Sequence, residues 1–178
     1  MKNKIFALAL CGALSAPAMA VDAAIDLSSG SAGGGRQHVL APGASFVDRY
    51  FFSLGAPMTG GLGVVDIAYA YAYPGATVVF DIGTLSASLW SDGGAVGSYD
   101  AGGDTLISAF GTGDPLAGSF QLAAGNYFFQ VDGATVGATG GVYGWSANVS
   151  AVPEPRQYAM LMAGLGMLGV IARRRIGR

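Results

Sequence analysis

The sequence has few charged residues, and lysine is absent between residues 21 and 152. Charged residues make up 11% of the 178 residues, whereas about 25% is usual in soluble domains. Residues 21–152 carry ten Asp against Arg36 and Arg49, which gives this segment a net charge of −8. Contacts to nucleic acid phosphates require a basic face. The acidic segment therefore excludes nucleic acid as an expected partner.

Cysteine and histidine are almost missing as well, since Cys11 and His38 are the only examples. One cysteine excludes a disulfide framework and a Cys-ligated zinc site. A Ser-His-Asp triad would have to use His38, but no nucleophile-elbow motif lies near it. We therefore expect His38 to be exposed and inert, and we expect the protein not to be an enzyme.

The N-terminus has the pattern of an export signal. Lys2 and Lys4 precede an apolar run at residues 5–14, and Ala18 and Ala20 form a small-x-small cleavage site. Residues 1–20 are thus predicted to be a signal peptide that is cut after Ala20. A retained membrane anchor is disfavoured because ten apolar residues are too few to span a bilayer.

The C-terminus combines a proline motif, an apolar run at residues 158–172 and an arginine cluster. Fifteen helical residues rise about 22 Å, which spans a hydrocarbon core of about 30 Å only with snorkelling and local thinning. Arginines that follow the run stay cytoplasmic. We therefore predict a transmembrane helix at 158–172 with the body outside. The motif is Val152, Pro153, Glu154 and Pro155, and the cluster is Arg173, Arg174 and Arg175.

This arrangement, over residues 152–178, resembles the PEP-CTERM sorting signal of Gram-negative bacteria. The resemblance implies that an exosortase recognises the tripeptide and removes the tail. It also implies an inner-membrane precursor with a periplasmic body, followed by delivery to the cell surface or to an exopolysaccharide or biofilm matrix. The alternative is a permanent C-terminal anchor without processing.

Between the terminal segments, the pattern changes near residue 46. Residues 21–45 are rich in Gly, Ser and Ala and are predicted to be a flexible lead-in, with at most a short strand around Val39 and Leu40. Residues 46–150 alternate with a period of two between Gly, Asp and Pro turns. About eight strands predict an all-β, jelly-roll-like antiparallel β-sandwich. The predicted strands are 45–54, 64–73, 77–82, 85–90, 105–110, 118–122, 126–132 and 142–149.

Phe46, Asp48, Tyr50 and Phe52 share one face of the first predicted strand. They resemble the signature of the FxDxF family of PEP-CTERM proteins, with Tyr50 in place of the last Phe. More loosely, residues 48–54, 85–92 and 122–149 resemble the prepeptidase C-terminal β-sandwich, which implies the same fold.

Asp48 is the one acidic residue on this otherwise apolar face. A buried carboxylate needs hydrogen bonds or an ionic partner. Asp48 is therefore either a metal ligand or catalytic acid, or it binds turn N–H groups or a tyrosine hydroxyl. A secreted hydrolase acting through Asp48 is the least favoured of the functions considered.

Most of the remaining Asp residues lie in glycine-rich turns. Asp100 and Asp104 are the best local pair for Ca²⁺, which takes oxygen ligands. Their spacing fits neither the twelve-residue calcium loop nor a nonapeptide repeat, and turn formation is the alternative use. We expect no cofactor, with calcium as the one candidate.

Tyr69, Tyr71 and Tyr73 alternate with alanine and share one face of a predicted strand. Such rings either stack on sugars and drive association, or pack against a neighbouring strand. The function expected from the sequence is a non-catalytic exported protein sorted through its tail, with extracellular polysaccharide as a further partner. A carbohydrate-binding module is the alternative.

Overall fold

The computed structural model describes residues 19–152 and 155–176, which form eleven strands followed by one helix. The strands are β1 (Met19–Ala24), β2 (Ser31–His38), β3 (Ser45–Leu54), β4 (Met58–Asp66), β5 (Tyr69–Tyr73), β6 (Ala76–Phe80), β7 (Ile82–Ser91), β8 (Thr105–Thr112), β9 (Leu116–Leu122), β10 (Gly125–Thr135) and β11 (Gly141–Ala151). The helix is α1 (Pro155–Ile176).

Two sheets and a separate hairpin make up the fold of the described residues. Sheet A has the strand order β1-β3-β10-β7-β8, sheet B has the order β2-β11-β4-β9, and β5 and β6 form the hairpin. β1 runs parallel to β3, whereas the neighbouring strand pairs of both sheets are otherwise antiparallel. The prediction of an antiparallel all-β fold is confirmed, with eleven strands instead of about eight.

The hydrophobic core lies between the inner faces of the two sheets. Phe129 of sheet A meets Phe120 of sheet B with ring centroids 5.5 Å apart. Phe46, Tyr50 and Phe52 of β3 also point into this core. This is the face that the period-two pattern predicts, because alternate side chains of a strand point the same way.

The structure differs from the prediction of a flexible lead-in at residues 21–45. β1 extends sheet A beside β3, and β2 pairs with β11 at the edge of sheet B. Strand pairing uses main-chain groups, so the glycine-rich β2 forms its ladder without side chains. The indole of Trp145 fills the space above Gly34, where a Cβ would lie 3.3 Å from Nε1. Val39 lies outside any strand and is 71% exposed.

The predicted strand 64–73 is two strands that belong to different sheets. β4 ends at Asp66, whose N–H donates to the Asp114 carboxylate at 2.8 Å. The Ile67 N–H then bonds the carbonyl of Val142 at 2.8 Å. The chain leaves sheet B at this point, and the tyrosines of β5 therefore belong to the hairpin.

The outer face of sheet A carries a second, smaller aromatic cluster. Phe51 and Phe128 are buried there because the loop 92–104 folds over them. Tyr99 of this loop meets the Phe128 ring edge-on at 6.1 Å, and the Arg49 guanidinium lies 4.2 Å from the Tyr99 ring centroid. Strands β3 and β10 therefore bury aromatic rings on both of their faces.

The two ends of the sandwich differ in what they carry. At the end we call the tail end, β11 finishes at Ala151 beside Met58, the first residue of β4. The loop 92–104 lies at the same end, since it connects Ser91 and Thr105. The opposite end, here the hairpin end, carries the β5–β6 hairpin between the last residue of β4 and the first of β7.

Helix α1 contains the apolar run 158–172 and begins at Pro155. Proline suits the first helical position because its missing N–H would be unpaired there in any case. Among the described residues, no helix combines the length and the mean hydropathy of a membrane span. The transmembrane prediction for 158–172 is therefore not confirmed and stays a prediction. Residues 1–18 of the predicted signal peptide lie outside the described residues.

Gly133 on β10 tests how tightly the core is packed. A Cβ at this position would overlap the ring of Phe46, which is fully buried. We expect Gly133→Ala to lower the free energy of unfolding by about 1–3 kcal/mol through overpacking, measured by urea denaturation. Gly55→Ala is the control because a Cβ there has no atom within 4 Å, and its effect should stay within about 0.5 kcal/mol. Equal losses in the two variants would contradict this account of the packing.

Candidate functional site

Asp48 is completely buried on the inner face of β3 and is surrounded by hydrogen-bond donors. The Tyr143 hydroxyl donates to its Oδ2 at 2.5 Å, and His38 Nε2 lies 2.8 Å from the same oxygen. Because a carboxylate only accepts, the proton of this contact is placed on Nε2. Arg36 Nε lies 3.9 Å away. Together, these groups form the Asp48 cluster, which consists of Arg36, His38, Asp48, Tyr50 and Tyr143.

The Asp48 cluster joins the two sheets across the core. Asp48 and Tyr50 come from β3 of sheet A, and Tyr143 comes from β11 of sheet B. The hydroxyls of Tyr50 and Tyr143 lie 2.7 Å apart, which adds a second bond between the sheets. Arg36 and His38 reach the cluster from β2, two residues apart and so on one face of that strand.

His38 is 3% exposed, so the expectation of an exposed histidine is wrong, whereas the expectation that it is inert stays a prediction. Its ring stacks on Phe46 with centroids 4.0 Å apart and an angle of 15° between the ring planes. Phe46 in turn lies parallel to Tyr143 at 5.6 Å. The error has a physical cause: β2 pairs with β11 up to Gly141, which carries His38 into the core.

Burial keeps the two tyrosines of the cluster protonated. Burial, together with the hydrogen bonds to Asp48 and Tyr50, raises the pKa of Tyr143 far above its ordinary value. Burial also raises the pKa of Tyr50, and the nearby Asp48 charge adds to this effect. Tyr143 is therefore a permanent donor to the Asp48 carboxylate.

The four residues of the predicted FxDxF motif have distinct contacts. Phe46 stacks on His38, Phe52 stacks on Phe129 at 4.8 Å, and Asp48 and Tyr50 hold the hydrogen bonds between the sheets. The structure thus shows Asp48 bonded to a tyrosine hydroxyl, one of the uses considered for it. Its second oxygen, Oδ1, is buried without a partner among the described residues.

The partners of Asp48 were missed in the sequence, although a signal for them exists. A lone acid on an apolar strand face requires buried donors, and the sole histidine lies only ten residues away. Tyr143 is 95 residues away, and no local pattern connects it to Asp48.

The calcium candidates Asp100 and Asp104 form turns within the loop 92–104. Asp104 accepts the N–H groups of Gly93, Gly94 and Asp100 at 2.7–3.3 Å. Asp100 accepts the N–H of Gly102 at 2.9 Å. Within residues 19–152 and 155–176, no three acidic, histidine or cysteine side chains are grouped as a metal ion would require.

The hairpin presents tyrosine rings at the hairpin end. Tyr69 is 41% exposed and Tyr71 is 52% exposed, with centroids 6.3 Å apart and ring planes within 7°. Phe80 lies behind Tyr69 at 5.0 Å. An open cleft of about 290 Å³ lies beside Tyr69 and Phe80 and is bordered by Asp81. Of the three tyrosines predicted to stack on sugars, Tyr69 and Tyr71 have described side chains, whereas the side chain of Tyr73 is not described.

The predicted sorting motif follows the last strand directly. The Val152 N–H bonds the carbonyl of Pro57 at 3.2 Å, and Pro155 opens α1. Pro153 and Glu154 lie outside the described residues, as does Ala18 of the predicted cleavage site, whereas Ala20 lies in β1. Of the arginine cluster, Arg173, Arg174 and Arg175 all lie within α1, and Arg173 is exposed.

Residues 151–175 match the family model described as the PEP-CTERM protein-sorting motif. The resemblance predicted for this part of the chain is confirmed. The motif implies exosortase-dependent sorting of an exported protein whose membrane-anchored precursor is processed for the cell surface.

Among the solved structures to which the chain is similar are two bacterial proteins, and no curated protein matches it. One is the pre-peptidase C-terminal domain of collagenase from Bacillus anthracis, with a TM-score of 0.39 and 13% identity over 75% of this chain and 97% of that one. The other is PliG of Aeromonas hydrophila, a periplasmic inhibitor of g-type lysozyme, with a TM-score of 0.41 and 12% identity over 74% and 98%.

Removal of one hydroxyl tests the bond between the sheets. We expect Tyr143→Phe to lower the free energy of unfolding by about 1–3 kcal/mol, because the buried Asp48 carboxylate loses its shortest hydrogen bond. The midpoint of urea denaturation measures the loss. Tyr99→Phe, outside the cluster, should change stability by no more than about 0.5 kcal/mol. An unchanged midpoint for Tyr143→Phe would show that the bond contributes nothing.

The raised pKa values of Tyr50 and Tyr143 predict a loss of stability in alkali. Above the ordinary tyrosine pKa of 10.0 the unfolded chain releases these phenolic protons, whereas the folded chain keeps them. The stabilisation is thus complete below pH 10 and declines as the pH rises further. Urea denaturation at steps from pH 8 to 11 measures the slope, which should be shallower in the double variant Tyr50→Phe, Tyr143→Phe. The same slope in both proteins would refute the assignment.

Proposed function

We propose that the protein is a non-catalytic exported protein that an exosortase sorts through its C-terminal tail. The body is then retained at the cell surface or in the exopolysaccharide matrix of a biofilm. The observation that carries the proposal is the PEP-CTERM motif at residues 151–175.

The surface of α1 supports a membrane-inserted precursor. Large apolar side chains are exposed along the helix, and at about 100° per residue they cover more than half of its circumference. A helix that is apolar all round requires an apolar environment, and the arginine cluster after it then stays on the cytoplasmic side. The exposed side chains are Met160, Leu161, Met162, Leu165, Met167 and Leu168.

The enclosure of the Asp48 cluster supports a non-catalytic body. The imidazole of His38 and the carboxylate of Asp48 are bonded to each other inside the core. A general acid or base must come within hydrogen-bond distance of its substrate, and these groups are covered by both sheets. Membership of the FxDxF family is part of this proposal, with the motif serving to hold the sheets together.

The acidic surface supports retention in a matrix. A body with a net charge of −8 at residues 21–152 remains soluble and attracts counterions. Divalent cations can then bridge it to an acidic polysaccharide.

Processing of the tail tests the proposal. The full chain is expressed in a host with an exosortase and in the same host without it, and the mature protein is weighed by mass spectrometry. We expect loss of the tail only with the exosortase, and we expect the triple variant Pro153→Ala, Glu154→Ala, Pro155→Ala to keep its tail. Gly55→Ala is the control, since it lies outside residues 151–175 and a Cβ there has no atom within 4 Å, and it should be processed like the wild type. An intact tail in both hosts would remove the sorting claim.

A further inference from the structure

The β5–β6 hairpin, which carries the aromatic rings, is attached to the body by backbone hydrogen bonds. The Asp81 N–H bonds the carbonyl of Gly140 at 2.9 Å, and the Thr139 N–H bonds the carbonyl of Val79 at 2.9 Å. The Val136 N–H donates to the Asp81 carbonyl at 3.0 Å. The root of the hairpin is therefore fixed to the loop before β11, and a ligand that binds there does not have to order it first.

The cleft beside these rings combines an aromatic wall with a carboxylate. Phe80 is buried at the bottom, Tyr69 forms an exposed side, and Asp81 is half-buried at the border. Sugar rings have the complementary surface, because their C–H faces are apolar and their edges carry hydroxyl donors. A volume of about 290 Å³ lies at the lower end of small-molecule sites, which suits one sugar ring.

The charges around the cleft select against acidic sugars. Asp81 and Asp114 both lie near Asp66, and burial together with the charges of Asp81 and Asp114 raises the pKa of Asp66. The two cations of residues 21–152 are engaged elsewhere, since Arg36 belongs to the Asp48 cluster and Arg49 bonds Gln130 at 3.0 Å. A carboxylate of a uronic acid would thus meet like charge without a cation to balance it.

The position of the hairpin keeps the cleft accessible in an anchored protein. β11 leads into the tail at the tail end, and the hairpin projects at the opposite end. A chain held through its tail therefore presents the rings away from the attachment point.

We propose that the cleft formed by Tyr69, Phe80 and Asp81 binds a neutral sugar residue of a polysaccharide. The sugar stacks on Tyr69, its hydroxyls donate to Asp81, and the next residue of the glycan stacks on Tyr71. This site rests on the proposed function in that it supplies, beside the cation bridges, a direct contact to neutral sugars by which the body is retained in a matrix.

Isothermal titration of the full chain in mild detergent tests the site. The probes are the neutral hexasaccharides cellohexaose and mannohexaose and the acidic hexasaccharide hexamannuronate. We expect saturable binding of at least one neutral probe, at least tenfold weaker binding in Tyr69→Ala, and near-normal binding in Tyr69→Phe, which keeps the ring. Asp81→Asn should weaken binding as well, because it removes the charged acceptor.

Tyr99→Ala is the matched control, since it removes a partly exposed tyrosine at the tail end and should bind like the wild type. Thermal melting of each variant separates a binding defect from unfolding. The proposal is overturned if no neutral probe binds, if hexamannuronate binds more tightly than the neutral probes, or if Tyr69→Ala binds the neutral probe like the wild type. Because the titration does not involve tail removal, its failure and the failure of the sorting proposal are separate results.

Discussion

The structure depends on one buried carboxylate. Asp48 lies in an apolar core, and its charge is tolerated there only because donors from other strands meet it. These donors come from β2 and β11, so the carboxylate constrains which strands of sheet B face β3. Without the bonds to Asp48, little would fix the position of the glycine-rich β2 at the sheet edge, because β2 contributes few side chains to the core. His38 gives it a fixed register.

Glycine and aromatic residues in this protein are two parts of one packing arrangement. The chain contains 30 Gly, and 11% of its residues are aromatic. The ring of Phe46 occupies the space that a side chain at Gly133 would take, and Phe110 does the same at Gly118. Large rings therefore pack directly on the backbone of the neighbouring strand. This explains how a chain so rich in glycine still encloses a dense interior.

Local sequence patterns predicted the strands whose alternate side chains enter the core. They failed for strands that are held only by main-chain hydrogen bonds. The predicted bounds of β3 coincide with the observed strand, because its alternation is regular over ten residues. β2 was missed because three consecutive glycines carry no periodicity. The division between β4 and β5 was missed for a different reason, since the hydrogen bond from Asp66 to Asp114 spans 48 residues. A sugar-stacking role for the tyrosines and the sorting of the tail could be proposed from local motifs, whereas the partners of Asp48 come from β2 and β11, far apart in the sequence.

The parallel pairing of β1 with β3 has a geometric consequence for the two flanks of the body. β1 begins next to Phe46 at the hairpin end, whereas β11 finishes at the tail end. The two points are separated by about one strand length, roughly 33 Å for ten residues. A leader and a tail inserted in the same bilayer would force the sandwich to lie flat along the lipid surface. If the predicted leader is cut, a single tether would remain, and the strands could then lie along the membrane normal.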